Sequence, residues 1–387
     1  MGNNNNNNNK NYFPSSSSST PAFSLFDGPD FLNRNLGRNW LDINGRRQRD
    51  VPPIHNNYND INNNLVLMAM DWHGCRCLQT KIDEGNPRNV EAILSVVKDN
   101  IHDFIKHPFA NYLIQRIFKA TNSVTYHQIH SLVLLLTSNH QKLIDVCKDH
   151  YGTRVMQNML ENINHPLTLY HILYTVNCIT VALMKNLNGS YVILQCLKLF
   201  QPNYKKMLLD KVAQNCVEVA TDKVGCTAIQ KCLGHVGGMP LELLMTGIVC
   251  NAMVLALDPY GNYVLQYVIK MGVKKMVIEV LHGNFVRLSM DKHASNVVED
   301  LLRYSEENDV AVIVEEIMTS RDFLTVVRDP FGNYVAQRAL EFTKGGLRFE
   351  LSFLINSYRK NLQNHIFGKR VLAEAMKILM EGNWFNV

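Results

Sequence analysis

Flat aromatic side chains, guanidinium groups and side-chain amides recur in this sequence at one spacing, within a six-residue phrase that returns every 33 to 42 residues. Each phrase begins with Gly or Ala. When the next residue is counted as the first position, the second position holds Tyr or Arg in six of the eight phrases and the fifth holds Gln in six. The phrases occupy residues 74–79, 110–115, 152–157, 189–194, 225–230, 261–266, 294–299 and 332–337.

The first, second and fifth positions share one face of a helix, because residues one turn apart lie above one another and the second residue lies beside them. We call these three side chains the triad of a phrase. In chain order the triads are Cys75, Arg76, Gln79; Asn111, Tyr112, Gln115; Thr153, Arg154, Gln157; Ser190, Tyr191, Leu194; Cys226, Thr227, Gln230; Asn262, Tyr263, Gln266; Ser295, Asn296, Glu299; and Asn333, Tyr334, Gln337.

The triad side chains have the chemistry needed to hold nucleotide bases. Tyr and Arg are flat groups on which unstacked bases lie, at about 1–3 kcal/mol per base. A Gln or Asn amide has one donor and one acceptor and matches the edge of uracil or adenine, whereas the ionised Glu299 carboxylate only accepts and suits the two adjacent donors of guanine. A small first residue leaves room for a purine, and Asn fills that space against a pyrimidine. Stacking with edge reading, one base per helical repeat, is an established mode of single-stranded RNA recognition.

A solvated helical surface is the alternative explanation for these residues. A single Asn-Tyr-x-x-Gln phrase carries no information, because polar residues are ordinary on exposed helical faces and Gln favours helix. Here, however, the triad positions keep few residue types across eight phrases while the rest of each repeat varies. The repetition therefore favours a binding face.

The elements that carry the phrases are predicted to be helices. An upstream turn such as residues 258–261, Asp-Pro-Tyr-Gly, ends the preceding helix, since Pro disfavours helix in the residue before it and Gly permits a tight bend. The third, fourth, seventh and eighth positions are apolar, as in Val264, Leu265, Val268 and Ile269, and form a stripe that packs inward. A period of about 36 residues with helical patterns alone predicts an all-α solenoid.

The composition changes near residue 60. Residues 1–60 contain an Asn run at 3–9 and a Ser run at 15–19, with few branched apolar residues, which predicts a disordered N-terminal region. Acidic residues offset the basic cluster of Arg46, Arg47 and Arg49, so we interpret this cluster as linker charge in preference to a targeting signal. Residues 61–387 are predicted to form the repeat domain.

Charge and hydropathy are compatible with RNA binding but do not require it. The net charge of +5 suits an anionic partner, although the excess is small. We find no run of about 20 apolar residues that would span a bilayer and no secretory signal. The sequence therefore predicts an intracellular, soluble protein.

The nine cysteines are predicted to be free and buried as small apolar residues, since they lie in apolar helical segments and no C-x-x-C occurs. Cys147, Cys178, Cys216 and Cys250 are examples. Cys77 falls on the third position of the first phrase and is expected on the packing stripe.

No catalytic or metal-binding pattern emerges from the sequence. His127 and His130 have the spacing of two ligands on a helix, but no acidic or Cys partner follows at metal-site spacing, so we expect a solvated or locally bonded pair. Nucleotide-binding and hydrolase phrases do not occur. We predict a protein that is not an enzyme and that needs no cofactor or metal.

From about residue 65 to 385 the chain resembles the Pumilio (PUF) family, because all eight phrases stand in order with the triads given above. The resemblance implies a curved, right-handed α-α superhelix, a solenoid of eight three-helix repeats. It also implies imperfect capping repeats. A C-terminal cap matches Ile-Phe-Gly-Lys-Arg-Val at residues 366–371, and only a weak N-terminal candidate lies at residues 22–45.

The family's code implies a target sequence when it is carried over to these triads, with the RNA antiparallel to the protein. The eighth repeat would take U, the seventh G, the sixth U, the fifth A, the third A, the second U and the first A, which gives 5′-UGUANAUA-3′. In the fourth repeat Leu194 replaces the amide and Gln195 comes one place late, which leaves Ser190 and Tyr191 as contacts and the base undetermined. In the fifth, Thr227 replaces a stacking group, which leaves Cys226 and Gln230. Thr153 is bulkier than Ser or Cys and weakens the prediction of A in the third.

The same resemblance implies a biological role. Pumilio-like proteins recognise such elements in the 3′ untranslated regions of mRNA, and regulate translation and mRNA stability through recruited effectors. We expect single-stranded mRNA as the partner, no membrane, a monomer and a cytoplasmic location. A protein-binding scaffold of HEAT or armadillo type that has lost RNA binding is the alternative. The triads discriminate against it, because a peptide-binding groove does not require the same polar set in one register.

Overall fold

A computed structural model describes residues 58–382, and every regular element within that range is helical. The prediction of disorder for residues 1–60 falls on residues outside this range, apart from the last three, which form the first turn of the helix Tyr58–Met70. The all-α prediction is confirmed over the described residues.

Each of the eight phrases lies in a helix, which we call the middle helix of its repeat. These helices contact one another in chain order, so that each stacks on the next. Their bounds are Trp72–Glu84, Ala110–Lys119, Gly152–Asn162, Leu187–Leu199, Gly225–Leu233, Gly261–Val268, Ala294–Tyr304 and Gly332–Phe342. A ninth helix, Gly368–Gly382, stacks on the eighth middle helix at the position expected for a C-terminal cap.

A second row of helices follows the middle helices and also stacks in chain order. These trailing helices are Pro87–Lys106, Tyr126–Thr137, Pro166–Met184, Pro202–Gln214, Met239–Cys250, Lys274–Leu281, Glu307–Thr319 and Gly345–Ser357. A π-helical turn at Ile269–Val273 joins the sixth middle helix to its trailing helix.

A leading helix precedes most middle helices and completes the three-helix repeat. The separate ones are Tyr58–Met70, His140–Lys148, Cys216–Ala220, Ala252–Leu257, Phe285–Ser289, Phe323–Arg328 and, before the cap helix, Arg359–Leu362. In the second and fourth repeats the end of the preceding trailing helix takes this place, after a kink at Asn100 in the former. The chain is thus a solenoid of eight repeats.

An Asp side chain caps six of the eight middle helices. Asp71 caps the first through one bond from the Gly74 N–H, and the other five caps accept a pair of bonds. In the sixth repeat the Asp258 Oδ1 atom accepts hydrogen bonds from the backbone N–H groups of Tyr260 at 2.8 Å and Gly261 at 2.7 Å. Such bonds satisfy N–H groups that a helix start leaves without partners. The same arrangement recurs at Asp149, Asp222, Asp291 and Asp329.

The glycine that opens most phrases allows the middle helix to lie against the leading helix. A Cβ atom added at Gly152 would collide with the backbone carbonyl oxygen of Val146, and one at Gly225 with that of Val219. This close approach fixes where each middle helix begins, and therefore fixes the register of its triad.

The apolar stripe of each middle helix forms the core of the solenoid. Val264, Leu265, Val268 and Ile269 are each 1% exposed or less, as their spacing predicted. Cys77, at the third position of the first phrase, is an exception, because it is exposed.

The nine cysteines are all free, as expected. The expectation of burial was wrong for Cys178 and Cys250, which are exposed, as well as for Cys77. Cys178 follows the exposed Tyr174 by one helical turn on the outward face of its helix, and Cys250 is the last residue of its helix.

Helix Pro166–Met184 is the one described helix whose length and composition would suit a membrane span, with a mean hydropathy of 1.5. The expectation that no such run exists was therefore wrong. Half of the apolar window is buried inside the stack, where Ile172, Leu173 and Val176 are inaccessible to solvent. The helix serves as the trailing helix of one repeat and the leading helix of the next, and this double packing accounts for its apolar character.

Candidate nucleic-acid interface

The triads form one continuous row, because the middle helices stack in chain order and each triad occupies the same place on its helix. Exposure differs systematically across a triad. All eight first-position side chains are buried, at 6% exposure or less. The second position is exposed in seven repeats and half-buried at Tyr191, while the fifth is half-buried in seven and buried at Leu194.

The second position, where the sequence predicts the groups that stack on bases, is exposed in seven of the eight repeats. The rings of Tyr112, Tyr263 and Tyr334 are 47%, 57% and 41% exposed, and Arg76 and Arg154 are also exposed. A single exposed ring is ordinary on a protein surface, but exposed flat groups that recur along one row mark an interaction surface. The row therefore offers flat groups one repeat apart, open on the side away from the core.

In five repeats the first residue holds the fifth by a direct hydrogen bond. The Gln266 Nε2 atom donates to Asn262 Oδ1 at 2.9 Å. The equivalent amides of Gln79, Gln115, Gln157 and Gln337 donate to the first residue of their own triads at 3.0 to 3.3 Å. One amide hydrogen is thus used inside the triad. The amide keeps a second hydrogen and an oxygen acceptor, which are free to bind the edge of a base.

The first-position asparagines are fixed from behind by the turn that starts their helix. The Asn262 Nδ2 atom donates to the carbonyl of Asp258 at 2.8 Å. Asn333 binds the carbonyls of Asp329 and Pro330 at 2.9 and 2.8 Å. These asparagines therefore orient the Gln side chains of their own triads.

Two of the small first-position residues bind backbone carbonyl groups of the next repeat rather than of their own turn. Thr153 Oγ1 donates to the carbonyl of Asn188 at 2.8 Å, and Cys75 Sγ to that of Phe109 at 3.1 Å. Both acceptors belong to the next repeat. These bonds tie adjacent repeats together and set the distance between neighbouring triads.

The seventh triad is the only one with a carboxylate. The Glu299 side chain is 21% exposed, and Arg338 Nε from the eighth repeat donates to its Oε2 atom at 3.3 Å. Burial raises the pKa of Glu299, and the hydrogen bond and charge of Arg338 oppose that rise. Asn296 binds the carbonyls of Lys292 and His293 at 3.2 and 3.3 Å, which holds its amide against the turn.

The fourth triad departs from the others in the way its sequence indicated. Leu194 is only 5% exposed and belongs to the core. Gln195, one residue later, does not replace it, because its Nε2 atom donates to Glu161 Oε1 of the third repeat at 2.7 Å. The Tyr191 ring is covered in part by the Lys231 ammonium, 5.1 Å from the ring centroid.

The fifth triad lacks a flat second-position group and a hydrogen bond between its first and fifth residues. Thr227 is exposed but offers no ring. Cys226 Sγ donates to the carbonyl of Lys223 at 3.3 Å, and no hydrogen bond joins it to Gln230 among the described contacts. Gln230 is therefore held by fewer bonds than the amides of the five triads whose first and fifth residues are bonded.

Sequence reasoning missed four residues beside the triads. Trp72 lies under the guanidinium of Arg76, 5.6 Å from the ring centroid, and packs edge-on against Phe109 at 6.0 Å. Lys231 and Arg338 occupy the sixth position of their phrases. A recurring basic residue at that position, as in Arg116, Lys231 and Arg338, was the available signal.

Metal and small-molecule sites are not evident where the triads lie. Residues 58–382 contain no group of three or more His, Cys, Asp or Glu side chains arranged to hold a metal ion. His130 Nδ1 is within 2.8 Å of Thr168 Oγ1, a local bond of the kind expected. A cavity of about 360 Å³ lies between two trailing helices, lined by Asn177, Lys206 and Asp210 among others, away from the triads.

The fold and the triads together define a class of protein. It is a helical-repeat protein in which each repeat presents a triad of polar and flat side chains along one continuous row. The Pumilio-family RNA-binding repeat matches the chain at residues 64–97, 100–127, 142–168, 180–213, 215–245, 251–273, 284–318 and 322–351. The chain belongs to the Pumilio family. The predictions of the family, of the eight repeats and of a protein that is not an enzyme are confirmed by this match.

Relatives from Arabidopsis thaliana support the assignment. Pumilio homolog 12 is 35% identical over 326 residues, which are 83% of this chain and 54% of the relative. Pumilio homolog 11 is 37% identical over 312 residues, 80% of this chain and 55% of the relative. The chain thus matches about half the length of these relatives.

Solved structures share the fold. The Puf4 RNA-binding domain bound to the HO endonuclease RNA 3′ UTR recognition sequence is 28% identical, with a TM-score of 0.61, covering 79% of this chain and 97% of that one. The RNA-binding domain of yeast Puf5p bound to AAT2 RNA has a TM-score of 0.63 at 21% identity, covering 83% of this chain and 98% of that one.

Proposed function

We propose that this protein binds single-stranded RNA with the sequence 5′-UGUANAUA-3′, one base per repeat, with the RNA antiparallel to the chain. The observation that carries the proposal is the hydrogen bond by which first-position residues hold the fifth-position amide, as in Gln266 and Asn262. A reading group fixed before RNA arrives loses little side-chain freedom on binding.

Base selectivity follows from the donors and acceptors that each triad presents. In the sixth and eighth triads the Gln amide retains a donor and an acceptor, which match O4 or O2 and N3–H of uracil. In the seventh, Glu299 presents two acceptor oxygens to the two donors of guanine. The small Ser295 beside it leaves room for the larger purine ring.

Stacking supplies affinity without selecting the base, because every base has a flat face. A base in one repeat would lie between the second-position residues of adjacent repeats, such as Tyr263 and Asn296. Three exposed tyrosines and two exposed arginines provide such surfaces over the row. We therefore assign affinity mainly to the second positions and discrimination to the fifth.

The test is a binding series by fluorescence anisotropy at fixed salt. The RNAs are 5′-UGUAUAUA-3′, the same bases in reverse order, and eight single-base variants. The proposal predicts tight binding to the first, weak binding to the reversed RNA, and losses of about 1–3 kcal/mol where a triad meets a mismatched edge. Equal affinity for the forward and reversed RNAs would contradict the proposed antiparallel direction of the RNA along the repeats.

The biological act that we propose is regulation of mRNAs that carry this element in their 3′ untranslated regions. The protein would act in the cytoplasm as a monomer, repress translation or promote decay, and recruit effectors through surfaces outside the triad row. The Puf4 structure, with its bound 3′ UTR recognition sequence, supports this proposal. A reporter mRNA with the element in its 3′ UTR should fall in protein output when this chain is co-expressed, and a reporter with UGU changed to ACA should not.

A further inference from the structure

The seventh triad is joined to the eighth repeat by an ion pair. Arg338, at the sixth position of the eighth phrase, donates from Nε to Glu299 Oε2 at 3.3 Å. Its Nη1 atom binds Glu341 on the same helix. The guanidinium is therefore held from two directions, and it holds Glu299 in turn.

The equivalent side chains in other repeats bind elsewhere. In the second repeat Arg116, also at the sixth position, pairs with Asp83 of the first middle helix. Asp83 is the ninth residue when the count of the first phrase is continued along that helix. In the fourth, Gln195 binds Glu161, again a ninth position. Asn158, the sixth position in the third repeat, donates to the backbone carbonyl of Gln115. Among the described hydrogen bonds, Arg338 is the one sixth-position residue that binds the side chain of a fifth-position residue in the neighbouring repeat.

The contact leaves Glu299 able to read a base. A carboxylate has two oxygens and about four acceptor sites, so one bond from Arg338 to Oε2 leaves capacity on both oxygens. Carboxylate side chains rotate freely about their last bond unless a partner fixes them. A guanidinium, which is planar and always charged, is suited to fix such a group.

We propose that Arg338 is a positioning residue for guanine recognition, and that its guanidinium holds the Glu299 carboxylate ionised and in the orientation that accepts both guanine donors. The inference rests on the proposed function, in which the seventh repeat takes G. It makes selectivity at the second base of the RNA depend on a residue of the neighbouring repeat.

Electrostatics support the geometry. Burial raises the pKa of Glu299, Arg338 and then Arg303 lower it, and Asp300 raises it. Removal of Arg338 would therefore raise the pKa of Glu299 further. A protonated carboxyl carries an O–H donor, which would face one of the two guanine donors and weaken the preference for G.

The experiment compares Arg338→Met with the matched control Arg116→Met, which removes the same charge from the same position of another repeat. Fluorescence anisotropy gives the affinities for 5′-UGUAUAUA-3′ and for the RNA with U as the second base. For Arg338→Met we expect the G-over-U ratio to fall about tenfold, the effect of losing one well-oriented charged hydrogen bond. For Arg116→Met we expect both affinities to fall together with the ratio unchanged. Thermal unfolding of both variants establishes that they are folded.

A pH series separates positioning from a general loss of charge. The ratio of the wild-type affinities for the G-containing and U-containing RNAs should fall as the pH decreases through the pKa of Glu299. In Arg338→Met this fall should occur at a higher pH. The charged groups that act on Glu299 are Arg338 from the eighth middle helix and Arg303 and Asp300 on its own helix, and Glu341 binds Arg338. Asp300 is in turn paired with Lys270 at 2.9 Å. Arg338→Lys keeps the positive charge but lacks the planar guanidinium donors, so it should recover only part of the wild-type preference for G over U.

The outcomes are distinct. If wild type prefers G and Arg338→Met keeps the full ratio at every pH, the inference about Arg338 is wrong and the proposed function stands. If wild type shows no preference for G at the second base, the proposed recognition of G by the seventh repeat is wrong. The inference about Arg338 is then wrong as well, whatever the result for Arg338→Met.

Discussion

The sixth and eighth repeats differ from the fourth and fifth in their triads although they share the same helical scaffold. In the sixth and eighth, a buried Asn holds a half-buried Gln, and an exposed Tyr stands beside them. In the fourth, Leu194 belongs to the core and Lys231 covers part of the Tyr191 ring. In the fifth, Thr227 supplies no ring.

The comparison shows that the scaffold and the reading groups are separable. Asp258 and Asp222 cap the sixth and fifth middle helices with the same pair of bonds, and the apolar stripes of both are buried. Packing and capping therefore keep every repeat in register whether or not its triad is complete. Selectivity can then vary from repeat to repeat without loss of the fold.

The largest expected effect is the loss of an exposed stacking ring. Tyr263→Ala should weaken binding to 5′-UGUAUAUA-3′ by about 1–3 kcal/mol, with little change in stability, because the ring is 57% exposed. Tyr191→Ala should weaken binding less, because Lys231 already covers part of that ring. Anisotropy titrations of both variants measure the difference. Equal losses would show that the rings of the two regions act alike.

A smaller effect is expected when the fourth triad is completed. Leu194→Gln should create a preference at the fifth base, with A favoured beside the small Ser190, by about tenfold or less. It should also lower the free energy of unfolding by about 1–3 kcal/mol, since an amide replaces a buried apolar group. Four RNAs that differ at the fifth base, together with denaturant unfolding, test this.

The matched control is Gln195→Ala. It removes the amide that binds Glu161 and should leave the fifth base as poorly discriminated as in wild type. A change in base preference in this control would mean that Gln195 reads the base despite its bond to Glu161.

The smallest effect is expected from adding a ring to the fifth triad. Thr227→Tyr should tighten binding by about 1 kcal/mol, roughly fivefold, through a new stacking surface. The site is exposed, so the ring displaces no packed group. Thr227→Val, which adds no flat surface, serves as the control, and an equal gain in both variants would rule out stacking as the cause.

The repeat fold was predictable because its determinants are local. The apolar stripe at Val264, Leu265 and Val268 follows from helical periodicity, and the family match confirms the number of repeats. The Asp caps were not recognised as such, although Asp258 and Asp329 stood in the turns that the sequence indicated. In those turns Pro and Gly indicate the end of the preceding helix. The hydrogen bonds that recur, however, are those that the Asp side chains accept from backbone N–H groups.

The placement of the triad residues on one helical face was predictable from the sequence, but the contacts between repeats were not, and RNA binding by the triads stays a prediction. The triad positions and the departure at Leu194 followed from one register. The bonds of Arg338 to Glu299 and of Lys231 to Tyr191 join residues about 40 positions apart in neighbouring repeats, and no local pattern marks such pairs. Cys77 shows the same limit, since its position on the apolar stripe predicted burial and it is exposed.

The central claim is that each repeat reads one base through its own triad, and the most direct measurement is a change of code in the seventh repeat. The double variant Ser295→Asn, Glu299→Gln gives that repeat the first and fifth residues of the sixth. Its affinities for 5′-UGUAUAUA-3′ and 5′-UUUAUAUA-3′ are compared with those of wild type. We predict that wild type prefers the G-containing RNA and the variant the U-containing one, with other positions unaffected. An unchanged preference in a folded variant that still binds RNA would contradict the one-repeat, one-base account.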